Sequence, residues 1–237
     1  MKIHYIWIQG EENIPAKYKK NIRRTRKIYP EATVKIWSQE DIEILIEEKY
    51  PDLIDLIDNL KHWILLVDIG RIAILHSEGG IYVDTDVYIR KRVNFNRHNL
   101  FFVTNDYDRR SNYFGVNVRN WLIHSPKGHP FLEKYMENIN LNRRIHHFWS
   151  YHVSAVTGSL YISNLLEKYK YEYDTLKETT LYDGYMDNGY DSSWHTAYLD
   201  VRDFSIISII IIGLIIIALL LIYILTRPKK LVILDIK

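Results

Sequence analysis

The sequence contains no cysteine. No disulfide can brace this fold, and zinc–thiolate sites and cysteine nucleophiles are excluded, so stability must come from a packed core. Charge of one sign is lacking too. The 31 Lys and Arg against 29 Asp and Glu leave a net charge of +2 over 237 residues, too little to argue for a nucleic-acid partner. No Asn-x-Ser/Thr acceptor occurs. Met1–Gly10 does not read as a secretory leader, because its apolar run is short and His4 and Gln9 interrupt it. No nucleophile–base pair is evident at any fixed spacing. What the chain does have is aromatic surface: 19 Tyr and 6 Trp bring aromatics to 14%. Such rings suit a carbohydrate or nucleotide site, and equally a large core.

The most informative stretch is residues 63–90. From about Ile64 to Ser77 nearly every position is apolar, the mark of an interior helix. Asp68 and Arg71 interrupt it three residues apart and so share a face. An unpartnered buried charge costs several kcal/mol, so these two either pair only with each other or point into a site. Gly79-Gly80 ends the helix, and β-rich Ile81-Tyr82-Val83 follows. Asp84 and Asp86 come next; an extended segment sends residues at spacing two to one side. Two adjacent carboxylates repel unless a cation lies between them, and hard oxygen ligands suit Mg²⁺ or Mn²⁺ with positions left for phosphate oxygens. A bare Asp-x-Asp also describes a solvated turn; the charged buried helix before it favours a site.

Asp68-x-x-Arg71 followed by Gly79-Gly80-Ile81-Tyr82-Val83-Asp84-Thr85-Asp86 resembles the core signature of the DXD-type sugar transferases of glycosyltransferase family 32. That group includes capsular-polysaccharide, initiating α-1,6-mannosyl and inositol-phosphoceramide mannosyl transferases. The catalytic domain of the large clostridial glucosylating toxins is similar over the same stretch. The opening Ile3-His4-Tyr5-Ile6-Trp7 is also similar to the family's first strand, which makes Ile6 and Trp7 candidate nucleotide contacts, with core packing the other reading of Trp7. The resemblance implies Asp84, Asp86, Asp68 and Arg71 as catalytic residues. Asp86 with Asp84 would hold the dication, Arg71 would clamp the donor, Asp68 would orient the sugar, and Tyr82 would join the donor site. Near the C-terminal end the family closes its site with Ser-Trp, matched by Ser193-Trp194. The third metal contact stays open among Asp191, Ser193 and His195.

Elsewhere the pattern is α/β. Strands are expected near 3–8, 33–37, 81–87, 99–104 and 113–118, with helices at 41–50, 51–60, 133–140 and 160–169. Ser38 is the expected N-cap of the first of these. Lys17 to Lys27 is a basic run, either a solvated helix face or a contact for an anionic membrane. Trp37 matches a family tryptophan or is simply core. Ser125 to Leu132 resembles the family's Pro-Gly-His-Pro turn, which makes His129 a turn residue. Asn117 and Thr157-Gly158 match loosely. His146, His147 and His152 cluster in sequence, but adjacent histidines diverge on any regular element, so a metal role is not expected.

Phe204 to Leu225 carries no charge, and 22 residues of helix reach roughly 33 Å, enough for a bilayer core. The expected organisation is an α/β, GT-A-type, Rossmann-like nucleotide-sugar-binding domain over residues 1–203, one transmembrane helix over 204–226 and a short basic tail over 227–237. The catalytic domain is placed in the cytosol, although the positive charges after the helix argue the reverse. The implied activity is retaining transfer of a hexose from GDP-mannose or a UDP-hexose, with Mn²⁺ or Mg²⁺, to a lipid or glycan acceptor at the membrane. A metal-dependent phosphate-ester hydrolase and a non-catalytic binding or scaffolding module are the alternatives.

Overall fold

Strand pairing begins at the first residues. In the computed structural model, which describes residues 1–60, 62–104, 118–140, 149–189, 210–219 and 221, β1 (Lys2–Ile6) and β2 (Thr33–Trp37) lie parallel, with Lys2 opposite Thr33 and Ile6 opposite Trp37. Helix α1 (Ala16–Ile28) connects them. The chain then runs through α2 (Gln39–Lys49), a 3₁₀ turn at Pro51–Leu53, α3 (Ile54–Asp58) and α4 (Trp63–Glu78). It re-enters the sheet as β3 (Gly80–Val83), parallel to β1 on the side away from β2. The order β2-β1-β3 therefore reverses direction at β1. In open α/β sheets ligands bind beyond the carboxyl ends of the strands at such a switch point.

The remainder widens the sheet and adds a flap. After β4 (Val87–Ile89) come β5 (Phe101–Thr104), β6 (Val118–Ser125), α5 (Pro130–Glu137), α6 (Trp149–Val156), α7 (Ser159–Tyr169), β7 (Asp174–Lys177), α8 (Glu178–Tyr182) and β8 (Met186–Asn188). The main sheet is β2-β1-β3-β6-β5-β7, with β6 antiparallel to both neighbours. β4 and β8 form a separate antiparallel pair, Val87 opposite Asn188.

Period-two alternation splits the core between the two faces of this sheet. Ile3, Tyr5, Ile81 and Val83 pack with Tyr18 and Ile22 of α1. Ile6, Tyr82, Phe102 and Ile123 pack with α2, α4, α5 and α7. Every residue of α4 from Ile64 through Leu75 is buried, as its all-round apolar sequence requires.

Several expectations shift. Asp84–Asp86 is a turn between β3 and β4, not strand, so spacing along an extended chain does not set the direction of its carboxylates. The helix expected at 51–60 is split into a 3₁₀ turn and a five-residue helix. β7, α8 and β8 were not anticipated. Ser38 caps α2 as expected, in a reciprocal box with Asp41. His129 caps α5, its Nδ1 accepting from Phe131 N. Trp37 is core, donating its Nε1–H to His4 Nδ1. Residues 113–117, His146 and His147 lie outside the described residues, and His152 sits on α6.

Of the apolar run 204–226, residues 210–219 and 221 are described. They are helical, with side chains such as Ile210, Leu214 and Leu219 more than half exposed. Among the described residues no helix is long and apolar enough to cross a membrane.

Candidate active site

The interior helix delivers two charges to the carboxyl end of β3. Asp68 and Arg71 are both buried, and Arg71 Nη2 lies 3.1 Å from Asp68 Oδ1. Arg71 also reaches forward: its Nη1 is 3.5 Å from Asp84 Oδ1 and donates to the Asn120 carbonyl at 2.6 Å. Its guanidinium sits 4.6 Å above the Tyr82 ring, and the Tyr82 hydroxyl donates to Asp84 Oδ1 at 2.6 Å. Asp68 and Asp84 are thus bridged by one arginine. Asp68 and Arg71 therefore pair, but not only with each other: Arg71 also reaches Asp84 and the Asn120 carbonyl.

Asp68 is held from its other side. Asn120 of β6 donates to Oδ1 at 3.0 Å, and Thr157, just past α6, donates to Oδ2 at 2.8 Å. Ser159 at the start of α7 donates to Asn120 Oδ1 at 3.1 Å, fixing which way that amide points. The Thr157 carbonyl accepts from the Tyr135 hydroxyl. Three of the roughly four lone-pair directions of the Asp68 carboxylate are filled, leaving one for a further donor.

Burial pushes the Asp68 carboxyl up, and Arg71, Thr157 and Asn120 pull it back only in part. Burial raises Asp84 as well, against the pull of Arg71. With 32% of its side chain exposed, against 3% for Asp68, Asp84 is the more accessible of the two carboxylates. Burial alone would lower the Arg71 guanidinium, but Tyr82, Asp84 and Asp68 together hold it above its ordinary range, so it is a fixed cation.

Three elements pin the acidic turn by its backbone. Asp84 N donates to the Trp121 carbonyl of β6 at 2.9 Å. Asn21 of α1 donates to the Thr85 carbonyl at 2.9 Å. Gly189, just past β8, donates its N–H to the Asp86 carbonyl at 3.1 Å. A Cβ at Gly189 would come within 3.3 Å of Asp86 Cβ, so the missing side chain lets the two backbones pass this closely.

Of the expected donor contacts, Ile6 packs into the core and can meet a ligand only through its main chain. Tyr82 is 2% exposed and lies beneath Arg71. Trp7 follows β1 directly and stacks obliquely on Tyr18, ring centroids 5.3 Å apart. Its Nε1–H is buried, with no hydrogen-bond partner among the described residues. Asp191, Ser193, Trp194 and His195 lie outside the described residues. Sequence reasoning missed Asn21, Asn120, Ser159 and Gly189; Thr157 carried only a loose motif match.

Among the described residues no three His, Asp or Glu side chains gather as a metal site. The turn offers two carboxylates, Asp84 and Asp86. That donor set fits a hard dication that keeps several positions for water and substrate phosphates, as Mg²⁺ does. A cleft of about 640 Å³ at the other end of the sheet, bordered by His98, His129 and Asp174, takes no part in this arrangement.

Comparison with known proteins supplies a family. The family described as capsular polysaccharide synthesis protein matches residues 1–195. The chain belongs to that family. Among curated relatives, an uncharacterised glycosyltransferase of Acanthamoeba polyphaga mimivirus is 32% identical over 143 residues, 60% of this chain and 55% of that protein. Inositol phosphoceramide mannosyltransferase 3 of Schizosaccharomyces pombe is 29% identical over 161 residues, 68% of this chain and 43% of that one. The chain spans about half the length of the curated relatives it matches. Among solved structures, PaToxG glycosyltransferase is 19% identical, covers 71% of this chain and 68% of that one, and superposes with a TM-score of 0.49. This last likeness is too loose to argue from. The capsular polysaccharide synthesis match spans all of Asp68, Arg71, Asp84 and Asp86.

Proposed function

We propose that this capsular polysaccharide synthesis family member is a metal-dependent, retaining glycosyltransferase. It moves a hexose, by preference mannose, from a nucleotide-sugar to a hydroxyl of a lipid or glycan acceptor at a membrane. The observation that carries this reading is the Arg71 bridge between buried Asp68 and the pinned Asp84–Asp86 turn at the sheet's switch point. The preference for mannose, with GDP-mannose as donor ahead of a UDP-hexose, comes from relatives described as inositol phosphoceramide mannosyltransferases. Retention of configuration is carried over from the family resemblance. The GT-A assignment of residues 1–203 follows the strand order and the same resemblance.

In this reading Asp86 and Asp84 hold Mn²⁺ or Mg²⁺, with a third contact drawn from Asp191, Ser193 or His195. The dication supplies charge neutralisation for the departing nucleoside diphosphate. Arg71, kept cationic and fixed by four acceptors, presents a preorganised donor beside the same oxygens. Asp68 offers its remaining lone pair to a sugar hydroxyl. Trp7, half-buried at the end of β1 and packed on Tyr18, is the candidate aromatic contact for the nucleotide. The chain passes Asp86 at Gly189, four residues before Ser193, so Ser193-Trp194 is the candidate closing segment over the diphosphate. The uncharged run 204–226 is the candidate transmembrane anchor. The helical, exposed Ile and Leu side chains of 210–219 agree with a place in lipid. The sidedness proposed for residues 1–203 is cytosolic.

The test is a screen of GDP-mannose, UDP-glucose and UDP-galactose for Mn²⁺-dependent hydrolysis or transfer, with Asp86→Ala as control. Turnover that chelator and Asp86→Ala both abolish supports the assignment. Turnover indifferent to both rejects it.

A further inference from the structure

Helix α1 is basic without relief. Seven of its 13 residues are Lys or Arg and none is acidic. Tyr18, Ile22 and Thr25 form its buried stripe. Helical spacing of 100° per residue puts Lys20, Arg23 and Lys27 on the opposite side, and all three are exposed. The flanking basic residues are spent on the protein. Lys19 donates to the Glu12 carbonyl at 2.9 Å, Arg24 to the carbonyls of Ile89 and Arg90, and Arg26 lies 3.6 Å from Glu11. The outward three meet no carboxylate among the described residues. They also repel one another at spacings of three and four, which a solitary helix face would not retain for stability.

The same helix walls the candidate active site. Asn21 donates to Thr85 inside the acidic turn, and Tyr18 packs on Trp7. The basic stripe therefore stands about one helix diameter, roughly 10 Å, from the turn. This chain also carries the uncharged run 204–225, described in part as an exposed helix.

We propose that the outward face of α1, Lys20, Arg23 and Lys27, docks on an anionic bilayer surface and holds the Asp84–Asp86 turn about one helix diameter above the headgroups. This rests on the membrane-acceptor reading above and adds an orientation to it. Three cations in one stripe, with no carboxylate partner among the described residues, match a sheet of anionic headgroups. An acceptor headgroup projecting past α1 then meets the turn without leaving its leaflet.

The test uses the full chain in phosphatidylcholine nanodiscs with or without phosphatidylserine. Lysine acetylation rates are read by mass spectrometry, with exposed Lys170, at the sheet's other end, as internal reference. Slower labelling of Lys20 and Lys27 only with phosphatidylserine, reversed by high salt, is the expected result. The triple variant Lys20→Gln, Arg23→Gln, Lys27→Gln should weaken docking by roughly 100-fold, since each basic residue near such a surface contributes about fivefold. Equal rates with and without phosphatidylserine, in chains that co-elute with the discs, overturn the proposal. Protection by a soluble polyanion but not by phosphatidylserine overturns it in favour of a polyanionic partner. Failure to co-elute with neutral discs rejects the anchor and leaves docking to be decided on phosphatidylserine vesicles. There, retention of the native chain and release of the triple variant support it, and no retention overturns it.

Discussion

Arg71 reaches four acceptors: Asp68 Oδ1, Asp84 Oδ1 and the carbonyls of Asn120 and Val67. A lysine keeps the charge but has no planar fork to hold several oxygens in fixed directions. Arg71→Lys should therefore lower kcat/KM for nucleotide-sugar turnover by about 10²–10³-fold, read by steady-state kinetics on a variant whose circular dichroism matches the parent. Thr157→Val is the complementary change. It removes the donor to Asp68 Oδ2 while keeping shape, and an unsatisfied buried acceptor costs about 1–3 kcal/mol. Urea titration measures that loss, and an unchanged midpoint would mean Asp68 is held by something else. Asp68, Arg71, Asp84 and Asp86 were legible in sequence because charge inside an apolar helix and paired carboxylates after it are local anomalies. Asn120 and Thr157 were not, because they meet Asp68 across 52 and 89 residues. Nothing near either residue announces that partner.

At the scale of elements, the Gly79-Gly80 junction decides whether α4 and β3 can present the site together. Both glycines have positive φ, 64° and 104°. A Cβ at Gly79 would come 2.7 Å from Lys127 N, and one at Gly80 would come 2.4 Å from the Lys2 carbonyl. The second contact strikes the strand that β3 must pair with. Gly80→Ala should destabilise the fold by about 2–4 kcal/mol, the range for strained backbone in a packed site. Chemical denaturation checks this; a loss under about 0.5 kcal/mol, the usual surface value, would contradict it. The junction was readable in sequence because a Gly-Gly after an apolar run has few other uses. The fate of Asp84–Asp86 was not. Alternation continued through Val87, but hydrogen bonds with Trp121, Asn21 and Gly189, all distant in sequence, pin a turn there. The short elements β7, α8 and β8 were missed for a related reason: each is at most five residues long, and the two strands are fixed by pairing across the fold.

For the whole molecule, acid sensitivity follows from buried neutral histidines. His4 Nε2 donates to the Gly79 carbonyl at 2.9 Å while Nδ1 accepts from Trp37 Nε1 at 3.1 Å, so a second ring proton would face an N–H. Burial lowers His4, His76, His124 and His129 below the ordinary 6.5. The unfolded chain then binds protons that the folded chain refuses. Stability is full above about pH 7 and falls as pH drops through 6.5 toward the folded values. Raised Asp68 and Asp84 contribute the opposite slope, so NMR titration of the rings isolates the effect: midpoints below 6.5 are expected, and midpoints at or above 6.5 would contradict neutral burial of these rings. At the same scale the sheet order sets the site where β1 and β3 end, and the account stands on what the acidic turn does there. The direct measurement is isothermal calorimetry of GDP and UDP binding, with and without Mn²⁺, to the native chain and to Asp86→Ala. The account predicts nucleoside diphosphate binding that Mn²⁺ tightens at least about tenfold, a difference of about 1.4 kcal/mol, and that Asp86→Ala reduces to the metal-free level. Binding of equal strength in all four conditions, or none in any, would contradict it.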